Sequence, residues 1–189
     1  MELNIENLMN TAIKEMEDGQ HSEASKHFDM VVINDASNIE APFFRAYCNC
    51  YDITLGEMSN AAVMFTNAFY RYVDSVKALN DPEAEKEKLD YAVNMLTTLV
   101  SMYKLNAQNN MLLTPTVGLG ISAAAVNMNT NCKNKLTSVN ANISTEILET
   151  NEKQNKSNSK TMLWLLAIAG IGAVLFAIWI GTDLAYIFF

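Results

Sequence analysis

The chain has 189 residues, half of them hydrophobic, and a formal net charge of −8. Residues 1–100 carry 17 acidic and 7 basic side chains, net −10, whereas residues 101–189 carry 4 acidic and 6 basic, net +2. The acidic half repels phosphate backbones and argues against a nucleic-acid partner. Three cysteines, Cys48, Cys50 and Cys132, make a poor disulfide framework and fit a reducing compartment.

Met1–Asn10 has neither the positive cluster nor the apolar run of a secretory signal. Leu8, Ala12, Ile13 and Met16 then share one helical face, and Ala24, Phe28, Val31 and Val32 share another. Asp18-Gly19-Gln20-His21-Ser22 separates them. Gly19 suits the left-handed conformation that ends a helix, and Ser22 is the expected cap of the next, with Glu23 in its first turn.

Leu8, Ala12, Gly19, Ala24, Phe28 and the turn Asp35-Ala36-Ser37-Asn38 resemble one tetratricopeptide repeat. Ala36 stands where that family has proline, and the aromatic residue at the end of the first helix is missing. A second unit begins at Ile39–Tyr47, so the resemblance covers residues 5–51 and fades beyond. It implies antiparallel helix pairs and a concave groove that holds a peptide or a partner helix, with Arg45, Tyr47 and Asn49 as its contacts. Such arrays usually need about three units, so the following helix is expected to act as the cap.

The second unit continues in a helix over Ala61–Leu79, too long for a standard repeat, where Phe65, Phe69, Tyr70 and Tyr72 suit either core or groove, and the helix after it is the expected cap. It is signalled by Asp81 as N-cap and Pro82 in the first turn, followed by Glu83, Glu85 and Glu87 near the positive end of the helix dipole. Leu89, Val93, Leu96, Leu99, Val100 and Tyr103 form its apolar face. Five helices are expected, ending near Lys104.

Residues 105–160 include 12 asparagines, with Pro115, Gly118 and Gly120 as punctuation. They read as a linker or stalk over 106–160. Val117–Val126 is apolar enough to pack on something, and Leu136, Val139, Ile143 and Ile147 have the spacing of a helix over 136–150.

Met162–Gly181 is twenty residues without a charge, about 30 Å as a helix and enough to cross a bilayer core. Trp164 and Trp179 lie near its ends. Lys153, Lys156 and Lys160 precede it and only Asp183 follows, which predicts a single-pass span over 161–182, a short tail over 183–189, and a cytoplasmic N-terminal domain. Late emergence of the span fits insertion as a tail-anchored protein. Ala169, Ala173, Ala177 and Gly181 recur every four residues and would let a second helix, from this chain or a partner, approach closely.

No catalytic set emerges. Cys48-Asn49-Cys50 has one residue between the thiols instead of the usual two, and helical positions two apart diverge. Neither His21 nor His27 completes a zinc set, so buried free thiols are expected. Gly118-Leu119-Gly120 lacks the strand and acidic residue of a dinucleotide fingerprint. Glu83, Glu85 and Glu87 read as a solvated first turn. Asn142-Ile143-Ser144 and Asn155-Lys156-Ser157 are glycosylation-type triplets that a cytoplasmic location would leave unused.

The sequence therefore predicts an all-α fold: a TPR-like helical domain over 1–105, the linker, and the C-terminal transmembrane helix. The expected function is a membrane-anchored protein-interaction or scaffold protein with a protein partner, no enzymatic activity, and neither cofactor nor metal. Its rival is an accessory subunit of a larger transport or secretion complex, held through the transmembrane helix.

Overall fold

The computed structural model describes residues 4–111 and 113–144. These form six helices and no strand: α1 Ile5–Glu17, α2 His21–Asn34, α3 Ala41–Cys48, α4 Met58–Ala78, α5 Pro82–Met111 and α6 Pro115–Ser138. No helix among the described residues is long and apolar enough to cross a membrane. The expected span Met162–Gly181, its Ala169/Ala173/Ala177/Gly181 stripe and its flanking lysines lie outside the described residues.

Local chemistry sets most helix ends. The Asn4 side chain accepts from the Asn7 N–H at 2.9 Å and caps α1. At the other end Gly19 takes φ +78, so that the Gln20 N–H reaches the Glu15 carbonyl and the Gly19 N–H reaches Met16. Those two bonds satisfy carbonyls that the helix end would leave open. The turn is so tight that α2 begins at once, at His21. Ser22 therefore lies inside α2 and not at its cap, which falls on Gln20 without a side-chain bond.

Asn38 Oδ1 accepts from the Glu40 and Ala41 N–H groups and starts α3, with Pro42 in its first turn. Asp81 Oδ1 accepts from Glu83 and Ala84 at the start of α5. That helix continues past the expected Lys104 to Met111.

Successive helices pack as α1 on α2 and α2 on α3, while α4 meets α3, α5 and α6. Ala12 and Ala24, both fully buried, face the α1–α2 seam, and His27 Nδ1 lies 2.6 Å from Glu15 Oε2 across it. The core is aromatic where α3 meets α4. Phe43 stacks on Tyr72 at 4.5 Å, and Phe65 and Phe69 are fully buried. Tyr70 is half-buried at the edge and donates to the Asn131 carbonyl at 3.1 Å.

The largest departure from expectation is α6. Residues 115–138 are not a linker but a helix packed against both α4 and α5. Its buried face is Gly118, Ile121, Ser122, Ala125, Met128, Cys132 and Leu136, whereas Asn127, Asn131 and Asn134 are exposed. The asparagines that suggested a linker are thus largely a solvated face. Gly118 makes the close approach to α5 possible, because a Cβ there would lie 2.9 Å from the Ala107 carbonyl oxygen.

Beyond α6 the expected helix over 136–150 does not start at its N-terminal end. Leu136 belongs to α6, Asn140 turns the chain at φ +47, and residues 141–144 are not helical. Val139 and Ile143 still pack on the core from this turn, while Ile147 lies outside the described residues. The Asn142 N–H donates to Glu85 Oε1 at 2.9 Å, and the Ser144 N–H to Asp90 Oδ1 at 2.8 Å. This clasp pins the end of the described chain to the first half of α5.

Candidate functional site

A groove of about 710 Å³ between α2, α3 and α4 contains sequence-predicted contacts. Helical spacing builds its α4 wall. Phe65, Phe69, Tyr72 and Val76 turn inward, which leaves Met64, Ala68, Arg71 and Ser75 on a neighbouring stripe. On the facing side α2 supplies Lys26 and Asp29, and α3 supplies Arg45.

Arg45 pairs with Asp29 and joins α3 to α2. Asn49 is exposed, and its Oδ1 accepts from Ser25 Oγ at 2.6 Å. Lys26 pairs with Glu23 at 2.7 Å, and Arg71 makes no ion pair among the described residues. The lining therefore holds three cations against one carboxylate in the acidic half of the chain.

Two of the three predicted contacts, Arg45 and Asn49, line this groove; Tyr47 does not. It is 8% exposed and its hydroxyl lies 2.7 Å from that of Tyr51. Helix geometry explains the difference, because Arg45 and Asn49 are four apart on one face while Tyr47 points to another. The sequence reading also missed Arg71 and Asp29. The Arg71 stripe could have been found from the Phe65/Phe69/Tyr72 periodicity. Asp29 becomes a groove residue only through tertiary contact, so it left no local signal.

Tyr47 instead belongs to a cluster of buried and half-buried polar side chains on another face of α3. His21 stacks on Tyr51 with ring centroids 3.7 Å apart, and its Nδ1 is buried without a hydrogen-bond partner. Burial lowers the His21 pKa, with Asp52 opposing. Cys48, Cys50 and Cys132 are free and buried, and burial pushes each thiol up to about 12. Among the described residues no group of three His, Cys, Asp or Glu side chains could hold a metal ion.

Two other concavities flank the fold. One of about 610 Å³ runs along α5 beside Tyr91 and Phe44, with its lysines matched by Glu40 and Asp90. The other, of about 480 Å³, lies between α4 and α6 and has no charged lining residue. The chain matches no protein-family model, no curated protein and no solved structure.

Proposed function

We propose that this chain is a membrane-anchored interaction protein whose α2–α3–α4 groove takes an extended segment or helix of a protein partner. The observation that carries the reading is the groove itself. It is about 710 Å³ in volume, polar at its walls and apolar at Met64, Ala68 and Tyr72, a combination suited to side-chain recognition along a bound segment. TPR-like pairing of α1 with α2 and of α2 with α3 is supported by the buried Ala12, Ala24 and Phe28 and by the positive φ of Gly19. Met162–Gly181 anchors the domain on the cytoplasmic side of a bilayer, on the charge-free length and the lysines before it. Tethering raises the local concentration of domain and partner on one surface.

A photo-crosslinking residue at Met64, in the full chain and its native membrane, should capture one discrete protein. The same residue at Leu105, exposed on α5, should not. Arg71→Glu should reduce the Met64 product several-fold, about 1 kcal/mol or more of lost or reversed charge contact. Equal products from Met64 and Leu105 would dismiss the groove.

The second reading, an accessory subunit held through the anchor, is favoured by the small-residue stripe Ala169/Ala173/Ala177/Gly181. Removal of residues 1–144 separates the two readings. A cut at 105 would split α5 and strip α6 of its cover. If the remaining tail still joins the same assembly, the accessory reading wins.

A further inference from the structure

The α2–α3–α4 groove gathers positive charge in a domain that is otherwise acidic. Residues 1–100 hold 7 basic and 17 acidic side chains, and three of the 7 line this groove against one of the 17. Asp29 is that one, and Arg45 already pairs with it. Lys26 pairs with Glu23, which lies outside the lining, through side chains 64% and 56% exposed, so solvent screens that pair and it yields easily. Arg71 is exposed and makes no ion pair among the described residues. The rings of Phe43 and Tyr72 lie 4.5 Å apart and those of Tyr47 and Phe65 6.4 Å apart, so α3 runs antiparallel to α4. Ser25 Oγ donates to Asn49 and Arg45 pairs with Asp29, so α2 runs antiparallel to α3. Lys26 therefore stands toward the Met64 end of α4, Arg45 midway and Arg71 toward Ser75. The two cations that Asp29 does not hold are at opposite ends, with half-buried Ala68 between them.

From Met64 to Ser75 the α4 wall is about 16 Å long at 1.5 Å per residue, the reach of about five residues of extended chain. Charge complementarity selects the occupant. At physiological salt, exposed charges more than about 8 Å apart are largely screened, so a bound group feels the lining and not the acidic residues elsewhere on the domain. A nucleic acid, charged along its whole length, would run out of the groove onto those acidic residues. A short acidic run stays inside it. We propose that the occupant of this groove is an extended protein segment with two carboxylates, one on Arg71 and one on Lys26, and a small apolar side chain over Ala68 between them. This occupant presupposes that the groove is a partner site, as proposed above.

The test places a photo-crosslinking residue at Met64, and separately at Ser75, in the full chain and its native membrane, and sequences the linked peptide. Both positions should link to one segment of one protein, with two Asp or Glu residues within about five positions of each other. Arg71→Glu should lower the Met64 yield several-fold, and Lys26→Glu together with Arg71→Glu at least about tenfold. Replacing one of the segment's carboxylates by Lys should restore linking to the Arg71→Glu protein. Lys26 and Arg71 are exposed, and unchanged helical circular dichroism will show that the variants remain folded. Raising the salt from about 0.05 M to about 0.5 M should lower the yield. A linked segment that is neutral or basic, one whose charge is phosphate, or a yield that rises with salt would overturn the acidic occupant while the groove stayed a partner site. Lipid products alone, or no discrete protein product from either position, would remove the partner site itself and this occupant with it.

Discussion

Gly118 and Gly120 sit two residues apart on α6 and meet opposite surroundings. A Cβ at Gly118 would press on the Ala107 carbonyl and the Met111 backbone, whereas one at Gly120 would meet nothing within 4 Å. Gly118→Ala should therefore destabilise the domain by about 1–2 kcal/mol, overpacking less the helical gain of alanine. Gly120→Ala should stabilise it by about 0.5–1 kcal/mol. Urea unfolding of dilute, detergent-solubilised protein would measure both. The cysteines give a second residue-scale expectation. With their thiols pushed up to about 12, Cys48, Cys50 and Cys132 should resist a thiol reagent at pH 8 and all react after denaturation. Rapid modification of any one in the native state would show that its pocket opens.

Among the elements, α4 and α5 were the most legible in the sequence. Asp81-Pro82 announced α5, and the inward aromatics of α4 repeat at helical spacing. The α1–α2 break was equally plain at Gly19. By contrast α6 was concealed, because its buried face is built largely from Gly, Ser, Ala and Cys. Such residues give little hydrophobic contrast with an asparagine-rich outer face, and the signal for a helix is that contrast. The fate of the groove contacts divides in the same way. Arg45 and Asn49 were visible by register, and the same register turns Tyr47 to another face, where it meets Tyr51 and His21.

The clasp after α6 makes its own prediction. Glu85 is buried, and the Asn142 N–H, with the Lys77 ammonium behind it, holds its carboxyl below the usual value against the cost of burial. A carboxylate with a depressed pKa contributes stability above its unfolded value near 4.5, and that contribution is lost as pH falls through the folded value. Glu85→Gln should thus lower the melting temperature at pH 7, with an effect that shrinks as pH falls below 4.5. The pH series of melting curves should converge on the acid side. Equal losses at both pH values would show that the clasp does not depend on the ionised form.

At the scale of the whole molecule, charge divides the sequence, net −10 over residues 1–100 and net +2 over residues 101–189, with the proposed anchor in the second part. An acidic domain is kept off an anionic membrane surface, and the lysines at 153, 156 and 160 sit between it and the uncharged segment. The two proposed readings differ in whether the domain or the tail holds the partner.

The clasp also fixes where force enters the fold. A pull applied at Ser144 acts on the bonds of Asn142 and Ser144 to Glu85 and Asp90. These attach to the beginning of α5, the longest helix described, and not to the α2–α3–α4 groove. Tension applied there would therefore load α5 before it disturbed α2 and α3, which line the groove. It would yield at a polar latch that acid weakens, so a load at this end is taken by the clasp while the groove keeps its shape.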